Sequence, residues 1–136
     1  MGVTVVDAGV VIAFLDERDV HHAAARAGLD EARDRGDLIV LPASAYSETL
    51  VSASRAGDAA VRIVDALVDG LPMTVEAIGR AIAGSAAGLR AHHGRGLRLP
   101  DALVLATAQV LGADRVLTTD SDLQGRGVDV ELIRGA

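Results

Sequence analysis

The chain has 136 residues, no cysteine and a formal charge of −6, and half of its residues are apolar. That length predicts one domain, residues 1–136, able to bury roughly two thirds of its unfolded surface. The lack of cysteine excludes disulfides, thiolate zinc sites and thiol nucleophiles and fits a cytoplasmic location, while the negative charge argues against indiscriminate nucleic-acid binding. Phe14 and Tyr46 are the only aromatic residues. This counts against RNA readers that work by base stacking and predicts a core of closely packed Ala, Val and Leu. No apolar stretch approaches the ~20 residues needed to span a bilayer, and Met1-Gly2-Val3-Thr4 has no basic leader. A soluble protein without a membrane partner is expected.

Val3 to Val6 reads as a short buried strand, followed at once by a helix over Gly9 to Leu15 and a polar turn over Asp16 to Val20. Ala and Leu at helical spacing predict an amphipathic helix from His22 to Arg35, ended by Gly36. Leu38 to Leu41 is a second strand, and Pro42 starts a helix to about Arg55. Asp58 is expected to cap a helix over Ala59 to Val68, which Gly70 closes. A third strand is predicted over Pro72 to Val75, then a glycine-weakened helix from Glu76 to about His93, and a buried helix from Leu103 to Leu111. Arg115 to Thr118 and Val128 to Ile133 are the fourth and fifth strands. Such alternation predicts an α/β fold with a mainly parallel central sheet of about five short strands and helices on both faces.

Against this layout, five acids stand out. Asp7 ends the first strand, Glu48 lies in the uncharged stretch Ser44-Ala45-Tyr46-Ser47-Glu48-Thr49-Leu50-Val51, and Asp101 opens the apolar segment Pro100 to Leu111. Asp120 and Asp122 follow the fourth strand. Charge in apolar surroundings is costly unless it is paired, hydrogen-bonded or bound to a cation. Each acid also has a simpler explanation: Asp7 as a helix cap, Asp101 as a first-turn residue favouring the helix dipole, Asp120 and Asp122 as turn formers, and Glu48 as a solvated helix-edge residue. Taken together, these explanations require four coincidences at one sheet edge, where open α/β folds bind ligands. Converging carboxylates without His or Cys make a hard oxygen site suited to Mg²⁺ or Mn²⁺.

The segments Val5-Val6-Asp7-Ala8, Ser47-Glu48-Thr49, Leu99-Pro100-Asp101-Ala102 and Leu117-Thr118-Thr119-Asp120-Ser121-Asp122 resemble the four acidic motifs of PIN-domain ribonucleases. In length and layout the chain resembles the VapC toxins of bacterial toxin–antitoxin pairs, and the similarity covers nearly all of it. That resemblance implies a three-layer PIN-like fold and a metal-dependent endoribonuclease that hydrolyses phosphodiesters in RNA, often tRNA or ribosomal RNA. It implies that Asp7, Glu48, Asp101 and Asp120 are catalytic and surround one or two Mg²⁺ ions, which Mn²⁺ can replace. By the same resemblance Thr118 helps hold the last acid, and Asp122 is either a fifth ligand or a residue behind the ligands. The implied partners are an RNA substrate, a VapB-type antitoxin that blocks the site with a basic residue, and a second copy of the chain in a homodimer.

The basic run Arg90-Ala91-His92-His93-Gly94-Arg95-Gly96-Leu97-Arg98 contains no acid and leads into Asp101. Arg90, Arg95 and Arg98 are candidates for RNA-backbone contacts, with a solvated loop as the alternative. The His21-His22 and His92-His93 pairs lack the i, i+4 spacing of helical zinc ligands and read as surface residues. An Asp-x-Asp phosphatase is unlike this chain because position 9 is Gly, and no late-strand Lys supports a phospho-acceptor receiver domain. The remaining alternative to an enzyme is a PIN-like interaction module without turnover.

Overall fold

The computed structural model describes residues 2–135. Its five strands are β1 (Val3–Val6), β2 (Leu38–Pro42), β3 (Thr74–Glu76), β4 (Arg115–Thr118) and β5 (Val130–Leu132), all parallel, in the order β3-β2-β1-β4-β5. Val5 of β1 lies opposite Val40 of β2 on one side and Val116 of β4 on the other. The three inner strands are mostly buried because both faces are covered, with Thr4 and Thr118 among their buried residues, whereas β3 and β5 are shorter and more exposed.

Among the described residues six helices flank the sheet: α1 (Ala8–Leu15), α2 (His22–Asp34), α3 (Ala43–Ala56), α4 (Asp58–Gly70), α5 (Arg80–His93) and α6 (Leu99–Leu111). The core is built from small aliphatic side chains, as expected, with Val5, Val6, Val11, Leu41, Leu105 and Leu117 fully buried. Phe14 and Tyr46 are only partly buried and pack against its edge. Where β1 enters the sheet, the Asp37 carboxylate accepts from the Gly2 amide at 3.2 Å, the buried Thr4 hydroxyl at 2.9 Å and the Arg35 guanidinium at 3.1 Å. The Thr4 hydrogen bond leads in holding the Asp37 carboxyl below its ordinary range.

Several boundaries differ from expectation, each for a local reason. α6 begins at Leu99, four residues before the predicted Leu103, because Pro100 fits a first turn where its missing N–H is not needed. α5 starts at Arg80 rather than Glu76, since Glu76 pairs with Pro42 as the last residue of β3. β3 is displaced along the chain from the predicted Pro72–Val75 because its first pairing with β2 is Thr74 to Val40. Asp58 does not cap α4. Gly57 does so with φ of 119°, a conformation that favours glycine, and Asp58 falls in the first turn. β5 is confined to Val130–Leu132, and short 3₁₀ turns occupy Gly94–Gly96 and Ser121–Leu123.

From β1 the chain proceeds outward to β2 and β3, then returns to place β4 on the other side of β1. The strand order therefore reverses between β1 and β4. The crevice beyond the carboxyl ends of those two strands is where an open α/β sheet presents a ligand site.

Candidate active site

Asp7 leaves β1 with extended backbone and caps α1, its Oδ1 accepting from the Ala8 amide at 2.7 Å. Its own amide donates to the Leu117 carbonyl at 3.0 Å, which fixes it beside the end of β4. From β4 the buried Thr118 hydroxyl donates to Asp7 Oδ2 at 2.8 Å and accepts from the Asp120 amide at 3.0 Å. One hydroxyl thus links the first and last acids of the proposed set. Asp120 caps the following 3₁₀ turn, its Oδ1 accepting from the Asp122 amide at 2.9 Å. Asp122 is exposed, and that backbone bond ties its position to Asp120.

Asp101 stands in the first turn of α6, and Glu48 in the second turn of α3, a helix that packs against both α1 and α6. Electrostatics places the four carboxylates in one neighbourhood. Burial and then the charges of Asp120 and Asp7 push the Asp101 carboxyl up to about 6, with Glu48 adding to the rise and Arg98 opposing it. Burial raises Asp7 above its ordinary range, held back by the Thr118 and Ala8 hydrogen bonds and assisted by the Asp120 charge. Glu48, the most open of the set, is raised by partial burial and by Asp7, again against Arg98. The arrangement disfavours the ionised form at three positions, a condition that a divalent cation relieves.

Carboxylates without nitrogen or sulfur ligands match the chemistry of Mg²⁺ or Mn²⁺. One further polar group lies close by. Ser44 Oγ is buried without a hydrogen-bond partner among the described residues, one helical turn before Glu48. The donor chemistry therefore fits such an ion, although among the described residues no three His, Asp or Glu side chains converge closely enough to hold one as they stand.

Of the basic candidates, Arg98 lies at the N-cap of α6, where its charge acts on both Glu48 and Asp101. Arg95 is exposed in the 3₁₀ turn before it, and Arg90 Nε donates to the Leu97 carbonyl at 3.2 Å. Arg126, which the sequence reading passed over, donates from Nε to the Asp122 carbonyl at 3.2 Å and from Nη2 to the Gly96 carbonyl at 3.3 Å. It thereby joins the loop carrying Asp120 and Asp122 to the loop that precedes Asp101. The only signal for it in the sequence is an arginine set between two glycines, Gly125 and Gly127.

Similar solved structures share this architecture. A toxin–antitoxin complex from Klebsiella pneumoniae aligns with TM-score 0.79 at 22% identity, over 98% of this chain and 99% of that one. VapC20 from Mycobacterium tuberculosis, a sarcin–ricin loop cleaving toxin, aligns with TM-score 0.74 at 19% identity, over 92% and 95%. VapBC2 from Rickettsia felis, solved with a DNA fragment from its promoter, aligns with TM-score 0.78 at 11% identity, over 96% and 98%. No curated protein sequence matches the chain. The PIN domain family matches residues 4–127, nearly the full length and all four acidic segments. The chain belongs to the PIN domain family.

Proposed function

We propose that the protein is a metal-dependent endoribonuclease and the toxin of a VapBC-type pair. The observation that carries this reading is the gathering of Asp7, Glu48, Asp101 and Asp120 at the switch point of a PIN domain, where burial raises the first three, Asp7 adds to the rise at Glu48 and Asp101, and Asp120 adds to it at Asp7 and Asp101. Asp7, Glu48, Asp101 and Asp120 would hold Mg²⁺ or Mn²⁺, with Asp122 at the rim. When bound, the ion lowers the pKa of a water and neutralises charge on the scissile phosphate. Thr118 sets the direction of Asp7 through its hydroxyl and fixes the Asp120 backbone. Asp101 and Glu48 are the candidates for the base that would take a water's proton. Arg98 is positioned to balance the Glu48 and Asp101 charges and to meet a phosphate. RNA as substrate is supported by the activity of the M. tuberculosis toxin of the same fold.

Purified protein should cleave a structured RNA when Mn²⁺ is added, and Asp7→Asn or Asp101→Asn should abolish cleavage with the circular dichroism spectrum unchanged. Persistent cutting by both variants would overturn the site. One observation favours the other reading, a PIN module without turnover: the acids do not converge as they stand. Absence of Mn²⁺-stimulated cleavage by the wild-type chain would establish that reading instead.

The toxin–antitoxin complexes among the similar structures support a VapB-type partner. A largely apolar groove lies between α1, α3 and α4, lined by residues including Ile12, Leu15, Ala53, Ala56 and the exposed Ile63. It also includes Thr49, the neighbour of Glu48, so a segment seated there would run beside the acids. A homodimer completes the proposal. Light scattering at micromolar concentration should give twice the monomer mass, and a monomer would refute it.

A further inference from the structure

A second groove, of about 540 Å³, lies between α5, α6 and the loop joining β4 to β5. Although the chain carries 19 acidic residues and a charge of −6, no Asp or Glu among the described residues lines this groove. Its polar lining comes from His92, His93, Arg126, Gln109 and Ser85, with glycines 88, 125 and 127 leaving its floor open to close approach. Ser85 Oγ donates to Gln109 Oε1 at 2.8 Å, which leaves the Gln109 amide group as a donor. Both Arg126 hydrogen bonds go to neutral carbonyls, and among the described residues no carboxylate pairs with its charge. The backbone amides of Gly125 and Gly127 donate to no backbone acceptor among the described residues. The groove therefore offers many donors and one unbalanced guanidinium, the complement of a phosphodiester backbone. Through Asp122 and Asp120, Arg126 connects it directly to the acidic site.

We propose that this groove is the track that holds the backbone of a single RNA strand beyond the cleavage site, with Arg126, His92 and His93 as its phosphate contacts. The proposal rests on the ribonuclease reading above. It assigns strand binding to a surface apart from the arginines of the 90–98 run. Phosphate contacts of this kind position a strand without reading its bases, so the track would serve many sequences.

The test is the fluorescence anisotropy of a labelled 12-nucleotide oligouridine, titrated in EDTA so that binding is read without turnover. Wild type is compared with Arg126→Gln and with the double variant His92→Gln/His93→Gln. Each variant should weaken binding by about 3–10-fold, and Arg126→Gln should reduce the slope of log K against log salt by about 0.7, one single-strand phosphate contact. The double variant removes neither Arg126 bond, so it keeps the test valid if Arg126→Gln loosens the loop. Binding within twofold of wild type, with an unchanged slope in both variants, overturns the track. So does failure of the wild-type chain to bind the oligomer. Mn²⁺-dependent cleavage by wild type, scored separately, decides the ribonuclease reading. A chain that cuts while both variants bind normally refutes the track alone, and a chain that binds through the groove without cutting refutes the ribonuclease reading alone.

Discussion

Replacing Asp101 with Asn should make the metal-free protein more stable at neutral pH, although it removes a residue assigned to catalysis. Asp101 is held at about 6 against an ordinary 3.8, first by burial and then by Asp120 and Asp7. At about 1.36 kcal/mol per pH unit the displacement corresponds to about 3 kcal/mol, and solvent screening of this partly exposed side chain lowers it to about 1–2 kcal/mol. The sign follows from proton linkage. Below about pH 4 folded and unfolded chains are both protonated here, and the raised pKa favours the fold. As pH climbs to about 6 the unfolded chain ionises first, and stability is lost. Above that the penalty is complete, and Asn, which carries no charge, escapes it. Thermal melts in EDTA should therefore place Asp101→Asn about 3–8 °C above wild type at pH 7.5, with the gap closing by pH 4. Mn²⁺ should raise the wild-type melting temperature more than that of the variant, because binding to the folded state stabilises by mass action. A variant no more stable than wild type at pH 7.5, or a gap that persists at pH 4, refutes the reasoning.

Thr118→Val should cost about 1–3 kcal/mol in urea unfolding, since it leaves a partly buried carboxylate and an amide without their shared hydroxyl. Thr118→Ser should restore most of that loss, and a Val variant equal to wild type would show that the link carries no energy. Leu117→Ala, at a fully buried position of β4, should lower stability by about 2–5 kcal/mol, read as a lower urea midpoint with an unchanged slope. Asp37→Asn should lower the melting temperature at pH 7. Because the Asp37 pKa is depressed, that deficit should shrink as pH falls below about 4, where the unfolded chain takes up the proton first, and vanish once the folded carboxylate protonates at lower pH; a deficit independent of pH would count against the Thr4 and Arg35 bonds as its cause.

Much of the sheet was legible because its signals are local. Val3–Val6, Leu38–Leu41 and Arg115–Thr118 are runs bounded by polar residues or turns, and the structure keeps them as β1, β2 and β4 with at most one residue added. Errors arose where a distant partner decided the outcome. Glu76 suits a helix start, but pairing with Pro42 draws it into β3. Among the site residues, Asp7, Asp101 and Asp120 could be placed at strand ends or helix starts from spacing alone. The double role of Thr118 could not, since its acceptor lies 111 residues away. Arg126 was missed for the same reason: its carbonyl partner at Gly96 is 30 residues upstream, and a lone arginine between glycines reads as loop. Conversely, the Arg90 side chain looked free in a basic run but is tied to the Leu97 carbonyl.

The insertion of β4 beside β1 also has a consequence in time. The hydroxyl that joins the first acid to the last bridges 111 residues of chain. At the usual pace of synthesis, roughly 5–20 residues per second, that interval lasts about 5–20 s. During it the growing polypeptide carries Asp7, and later Glu48 and Asp101, but neither Thr118 nor Asp120. A nascent chain is therefore incapable of assembling the acidic cluster until its last strands emerge. The nuclease site proposed above would thus be completed only at the end of synthesis, by the order of the strands.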